Sequence, residues 1–204
     1  MTQTVFTPAE RTIFDTPIVS GVLRWAARRV FRLLGWQFEG GFPPHIRQAV
    51  VIGAPHTSNW DLPYALLAAF ALGLKVHWLG KIQIFRFPFG PVMRWLGGIA
   101  VDRSRANNLV DAAVQGFRRS DQPLLLIVPP EGTRSAVREW KTGFYYIALG
   151  ARVPVVMAYM DHAMRRFGAS QVFIPTGDVD TDIAAIRAYY APFRGWAHRR
   201  QRSD

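Results

Sequence analysis

The chain has 204 residues, 50% of them hydrophobic, which is enough for one globular domain with a sizeable core. It carries 25 basic and 14 acidic residues, so we expect an anionic partner: a lipid surface, a phosphorylated substrate or nucleic acid. The absence of cysteine excludes disulfides, a thiolate nucleophile and cysteine-ligated metal sites.

The first predicted element is an amphipathic helix over residues 17–36. Its apolar residues share one arc of the helical wheel and its polar face is basic: Val19, Val22, Leu23, Ala26, Val30, Leu33 and Leu34 against Arg24, Arg28 and Arg32. This pattern is typical of a membrane-interface helix, and equally of a surface helix packed on the core. We expect no transmembrane helix, since the longest central apolar run, 64–74, is shorter than the roughly 20 residues a span needs. Residues 1–15 do not read as a signal peptide.

After a Gly/Pro turn, apolar strands and helices alternate along the chain. Strands are predicted at 48–55, 75–80, 99–103, 124–128, 153–160 and 171–177, and helices at 61–73, 89–98, 108–120, 142–151 and 180–191. This alternation predicts a single α/β domain with a mostly parallel central sheet flanked by helices. We divide the chain into an N-terminal tail (1–16), the amphipathic helix (17–36) and the α/β domain (37–204).

The stretch "GAPHTSNWD" places His56 five residues before Asp61, directly after a predicted strand. On one continuous helix these two side chains would not share a face, so they can pair only if His56 precedes the helix and Asp61 lies in its first turn. Asp61 would then accept the Nδ1–H of His56 and leave Nε2 free as a general base. The alternative is a loop histidine beside a capping aspartate.

Two more polar clusters follow predicted strands. Asp102, Arg103 and Arg105 follow one, and arginine suits phosphate; Glu131, Gly132, Thr133 and Arg134 follow another, where Gly132 allows close backbone approach to an anion. Taken singly, the first cluster can be interpreted as a surface salt bridge and the second as an ordinary turn. Because ligands collect at the carboxyl ends of parallel strands, we expect both clusters to converge with His56 on one site.

Four stretches of the sequence resemble, in order and spacing, the four successive sequence blocks of the glycerolipid acyltransferase family: "HTSNWD", "GGIAVDR", "PPEGTRS" and "VPVVMAY". Members of this family include the 1-acylglycerol-3-phosphate (lysophosphatidate) acyltransferases. The resemblance covers about residues 48–160. Two features depart from the family pattern: Pro129 stands where an aromatic or aliphatic residue is usual, and the chain is short.

The resemblance implies transfer of an acyl group from acyl-CoA or acyl carrier protein to a lyso-lipid hydroxyl, by default that of lysophosphatidate. It implies His56 as general base, Asp61 as its orienter, Arg103 on the acceptor phosphate, and Pro154 in packing or the acyl pocket. Acceptor binding falls to Glu131, Gly132, Thr133 and Arg134. No metal and no cofactor beyond the acyl donor are expected. Because the acceptor would reside in a bilayer, the resemblance favours membrane contact for the helix at 17–36, and the enzyme would lie peripherally on the cytoplasmic face of a membrane.

Other classes of protein explain the sequence less well. A nucleic-acid-binding module would need a recognisable motif, and the arginines here cluster at strand ends and both termini. A serine α/β-hydrolase would need the G-x-S-x-G motif, which is missing. None of the five histidines has the spacing of a zinc protease. A non-catalytic membrane scaffold and a thioesterase side activity stay open, as does the choice between lipid contact and packing for the aromatic segment 85–95.

Overall fold

The computed structural model describes residues 6–54, 58, 60–101, 106–131 and 140–193, with backbone alone for 106–108. Within these residues one seven-stranded sheet has the strand order β1-β7-β6-β2-β5-β3-β4. The strands are β1 (Gln37–Glu39), β2 (Gln48–Ala54), β3 (Val76–Lys81), β4 (Gly98–Val101), β5 (Leu124–Ile127), β6 (Val155–Asp161) and β7 (Arg166–Phe173). The helices are α1 (Val19–Leu33), α2 (Asp61–Leu72), α3 (Gly90–Trp95), α4 (Ala106–Arg119), α5 (Gly143–Ala151) and α6 (Val179–Tyr190).

Every neighbouring strand pair is parallel except β6 and β7, so the predicted mostly parallel α/β sheet is confirmed. The exception is a hairpin whose turn is held by the Asp161 carboxylate, which accepts the N–H groups of Ala163 and Met164 at 2.9 and 3.0 Å. The prediction placed this last strand at 171–177, whereas β7 already begins at Arg166. The prediction left the whole stretch 161–170 outside strands, whereas the turn between β6 and β7 takes only residues 162–165.

The sheet is covered on both faces, which explains why β2 is almost uninterrupted in its apolar character. Val50 and Ile52 pack in the core cluster that includes residues of α4, α5 and α6. Ala49 and Val51 alternate with them and pack on the side of α2. The central strands are therefore buried, and their carboxyl ends emerge together at one edge.

Helix α1 lies within the predicted range, but its packed arc is shifted: Val19 and Leu23 of the predicted apolar arc contact the core, and the deepest contacts come from residues beside that arc. Ala27 and Phe31 are fully buried, whereas Leu33 of the predicted apolar arc is 85% exposed. Two of the arginines reach along the surface to α2: Arg24 and Arg28 donate to the carbonyls of residues 72 and 71 at 3.3 and 2.8 Å. These carbonyls end α2 and lack helical partners, so cations complement them well.

Candidate active site

The loop between β2 and α2 contains the predicted His56–Asp61 motif. Asp61 is the first residue of α2, in the first turn as expected, and its Oδ2 accepts the Ser58 N–H at 2.8 Å. Ser58 Oγ in turn accepts the Trp60 N–H at 3.2 Å. These contacts fix the Asp61 carboxylate at the carboxyl edge of the sheet. His56 lies outside the described residues, so its pairing with Asp61 stays a prediction.

A second histidine, not assigned any role from the sequence, lies beside Asp61. The Nε2 atom of His162 is 3.7 Å from Asp61 Oδ1, and the His162 side chain is 1% exposed. Its imidazole makes edge contacts with the rings of Trp36 and Tyr64, with centroids 5.1 and 5.6 Å apart. The sequence does contain a sign of a site here, because Asp161 and His162 lie at the end of an apolar strand. Only the strand order, however, shows that β6 ends beside β2.

An apolar cavity of about 220 Å³ lies between α2 and the sheet and reaches Asp61. From the helix it is lined by Leu62, Ala65 and Ala69, and from β2 by Val51 and Gly53. Apart from the Asp61 carboxylate at one end, the polar side-chain atoms of the lining residues belong to Trp78 and Tyr159, and both donate to other groups of the protein. The arrangement therefore suits an extended alkyl chain whose polar end stays beside Asp61.

Tyr159 of β6 also lines this cavity, and its hydroxyl donates to the Glu39 carboxylate. Burial, reinforced by Glu39, raises the pKa of the Tyr159 hydroxyl. The phenol is consequently neutral near pH 7 and is no candidate for a general base.

Of the predicted acceptor-binding residues, Glu131 is described. It is buried in the turn after β5, and Pro129, two residues earlier, lines the same cavity as Asp61. In the sheet order β5 is the neighbour of β2, whereas β4 lies three strands from β2, so the convergence of the two clusters with His56 stays a prediction. Arg103, Gly132, Thr133 and Arg134 lie outside the described residues.

Pro154 precedes β6 and its carbonyl accepts the Val50 N–H at 3.0 Å. It lies at the amino end of the strand, far from Asp161, and does not belong to the cavity lining among the described residues. Of the two roles implied for Pro154, packing matches this position.

The carboxyl end of β3 adds features that sequence reasoning left aside. Lys81 ends this strand and is exposed, so its ammonium is available to an anion. In the following aromatic segment Phe85 is buried, whereas Phe87 is 92% exposed and Phe89 is also exposed. The segment is thus part packed and part open at the edge that holds Asp61.

Comparisons with known proteins identify the fold and the family of the chain. The chain matches a solved structure, the 1-acyl-sn-glycerophosphate (LPA) acyltransferase PlsC from Thermotoga maritima, with 18% sequence identity, a TM-score of 0.57, and coverage of 87% of this chain and 82% of that one. At this identity the match shows a shared fold. No curated protein sequence matches the chain significantly. A family model described as Acyltransferase matches residues 41–161, more than half of the 204 residues. The chain therefore belongs to the acyltransferase family.

Proposed function

We propose that the protein transfers a fatty acyl group from an acyl thioester to the hydroxyl of a lyso-lipid, with 1-acylglycerol-3-phosphate as the first candidate acceptor and phosphatidic acid as the product. The observation that carries this proposal is the Asp61 carboxylate, fixed by the Ser58 N–H at 2.8 Å, at the end of an apolar cavity in a member of the acyltransferase family. The carboxylate that assists proton removal and the cavity that binds the alkyl chain are then adjacent.

In the proposed step, His56 Nε2 takes the proton of the acceptor hydroxyl as its oxygen attacks the thioester carbonyl carbon. Asp61 holds the imidazole by accepting from Nδ1–H. The tetrahedral intermediate collapses with cleavage of the C–S bond, and the proton on His56 passes to the leaving thiolate. A backbone N–H near Gly132 would stabilise the oxyanion, and such a donor lowers the barrier by about 3 kcal/mol.

The acceptor is proposed to carry a phosphate because cations accumulate after the strands at this edge. Arg103 and Arg134 follow β4 and β5 in the sequence, and the exposed Lys81 ends β3 between those two strands. The structural relative from Thermotoga maritima is titled a 1-acyl-sn-glycerophosphate acyltransferase, which agrees with such an acceptor. A lyso-ornithine lipid or a glycolipid is the alternative acceptor.

A membrane surface belongs to the proposal, since a lyso-lipid resides in one. No helix in the described parts of the chain combines the length and apolarity needed to cross a bilayer. We propose peripheral docking on the cytoplasmic face through α1, which leaves Val22, Trp25 and Leu33 exposed beside a basic face. Exposed Phe87 and Phe89 would meet the same surface near the acceptor site.

The test is acyl transfer from radiolabelled acyl-CoA and acyl carrier protein to lysophosphatidate, a lyso-ornithine lipid and a lyso-glycolipid, with products separated by thin-layer chromatography. We expect a labelled phosphatidic acid that disappears in His56→Ala and falls to a low but measurable rate in Asp61→Asn, while vesicle binding persists in both variants. Arg103→Ala should raise the KM for the phosphorylated acceptor and leave kcat nearly unchanged. Activity retained in His56→Ala would reject the general base, and no product from any pairing would favour the non-catalytic scaffold.

A further inference from the structure

We infer that His162 is a positioning residue that holds the Asp61 carboxylate in the orientation its catalytic role requires. The inference rests on the proposed function, in which Asp61 orients the general base. It concerns a contact outside the His56–Asp61 motif. His162 follows β6, which is the neighbour of β2 on the side away from β5.

The two oxygens of Asp61 face different groups. Oδ2 accepts the Ser58 N–H at 2.8 Å, which fixes one end of the carboxylate to the loop before α2. Oδ1 lies 3.7 Å from Nε2 of His162, the first residue after β6. Rotation of the carboxylate about its Cβ–Cγ bond would break the hydrogen bond from Ser58 and change the distance between Oδ1 and Nε2, so both contacts favour the present orientation.

His162 is itself immobilised by its surroundings. Its ring is almost wholly buried between Trp36 and Tyr64, both of which meet it edge-on. Tyr64 lies one turn after Asp61 on α2, so the same helix supplies both the carboxylate and one wall of the histidine site. Asp161 anchors the backbone by capping the β6–β7 turn.

This burial separates His162 from direct chemistry. A side chain that is 1% exposed and packed by two aromatic rings cannot move to a substrate without displacing them. His162 would therefore affect the reaction only through Asp61. Its loss should lower kcat, because more of the enzyme would hold His56 in an unproductive orientation, and should leave the KM values for both substrates nearly unchanged.

The experiment compares His162→Leu, which keeps volume and removes the ring nitrogens, with His162→Gln, which keeps an N–H donor near the position of Nε2. We expect kcat to fall about tenfold or more in the leucine variant and to recover most of that loss in the glutamine variant. In an Asp61→Asn background, His162→Leu should cause little further loss. Equal effects of the two variants, or full additivity with Asp61→Asn, would overturn the inference.

His77 offers a matched control, because it is another buried histidine, 2% exposed, and lies at the opposite end of the sheet in β3. His77→Leu and His77→Gln measure the general effect of replacing a buried imidazole, and assays at pH 7.5 should show wild-type kcat for both. A similar fall in kcat for the His77 variants would mean that the His162 effect is one of folding.

A spectroscopic readout separates this inference from the proposed function. In protein labelled with ¹⁵N-histidine, Asp61→Asn should shift the imidazole resonances of His162 and leave those of His77 in place. If the wild type transfers no acyl group to any acceptor, the proposed function fails, and these resonances still decide whether the two side chains interact. Unshifted His162 resonances would reject the contact whatever the activity.

Discussion

Gly53 shows at the scale of one residue how the cavity could select its occupant. It lies in β2 and lines the cavity, and apart from its chain neighbours no atom of the described residues comes within 4 Å of where its Cβ would be. The Cβ of Gly53→Val would therefore fit without a clash, and its two methyl groups would take up cavity space. We expect the preference for acyl donors to shift by several-fold toward shorter chains, measured as kcat/KM over a chain-length series.

Gly41→Val is the control for this prediction, because Gly41 is exposed outside the cavity and also has open space around its Cβ position. It should leave the chain-length profile as in the wild type. An unaltered profile in Gly53→Val would mean that the acyl chain binds elsewhere.

His77 predicts a pH dependence of stability that is separate from catalysis. Burial, together with the nearby Lys75 ammonium, lowers the pKa of the His77 imidazole from 6.5 to about 4. Between these values the unfolded chain binds more protons than the folded one, so the free energy of unfolding falls as the pH drops from 6.5 to about 4. At about 1.4 kcal/mol per pKa unit, the contribution of His77 is about 3 kcal/mol.

The measurement is urea unfolding of the wild type and of His77→Gln at several pH values from neutral to acidic. Carboxylates contribute to the acid dependence of both proteins, so the difference between the two curves isolates His77. We expect the wild type to lose more stability than the variant on acidification. A constant difference between the two curves would contradict the lowered pKa.

At the scale of elements, Arg28 connects α1 to α2, although the helical wheel places it on the polar face of α1, opposite the predicted apolar arc. Arg28 Nε donates to the carbonyl of Ala71 at 2.8 Å, near the C-terminus of α2. Arg28→Ala would leave that carbonyl without its charged donor, and we expect a loss of about 1 kcal/mol in the free energy of unfolding. Arg32→Ala, at an exposed position of the same helix, should change stability little. Equal losses in both variants would show that the contact adds nothing.

The exposed apolar residues of α1 lead to a prediction about docking. Trp25 is 63% exposed and Leu33 is 85% exposed, so a Trp25→Glu/Leu33→Glu double variant should fold normally. If these side chains enter a lipid surface, the affinity of the variant for liposomes, measured by sedimentation, should fall by about tenfold or more. Ile174→Glu is the matched control, because Ile174 is equally exposed but follows β7. Wild-type sedimentation of the double variant would place the docking surface elsewhere.

The elements also show how far sequence reasoning reaches. Long apolar runs such as Gln48–Ala54 were predicted to within a residue, because burial on both faces leaves a strong signal. β1 was missed, since three exposed residues carry no apolar pattern. The packed arc of α1 was predicted only in part: Val19 and Leu23 do contact the core, but the wheel does not show that Ala27 and Phe31, at the side of the apolar arc, are the most buried. His162 needed the strand order, which no local pattern contains.

At the scale of the whole molecule, the formal net charge of +11 matters most for association with a surface. Basic residues near an anionic bilayer contribute roughly 1 kcal/mol each, and salt screens them. Raising the salt from about 0.1 M to about 1 M shortens the Debye length from about 10 Å to about 3 Å. We therefore expect binding to anionic vesicles to weaken strongly over this range, and binding to neutral vesicles to be weak throughout.

The same titration discriminates the membrane from the other anionic partner that the charge allows. Duplex DNA also attracts a basic protein in a salt-dependent manner, so charge alone predicts binding to both. The phosphate backbone of DNA offers no apolar surface to the exposed apolar residues of α1, whereas a bilayer would bury them. Vesicle binding should therefore keep a component that survives high salt and disappears in Trp25→Glu/Leu33→Glu, while DNA binding should vanish completely. Salt-resistant binding to DNA and none to vesicles would reverse the assignment of the partner.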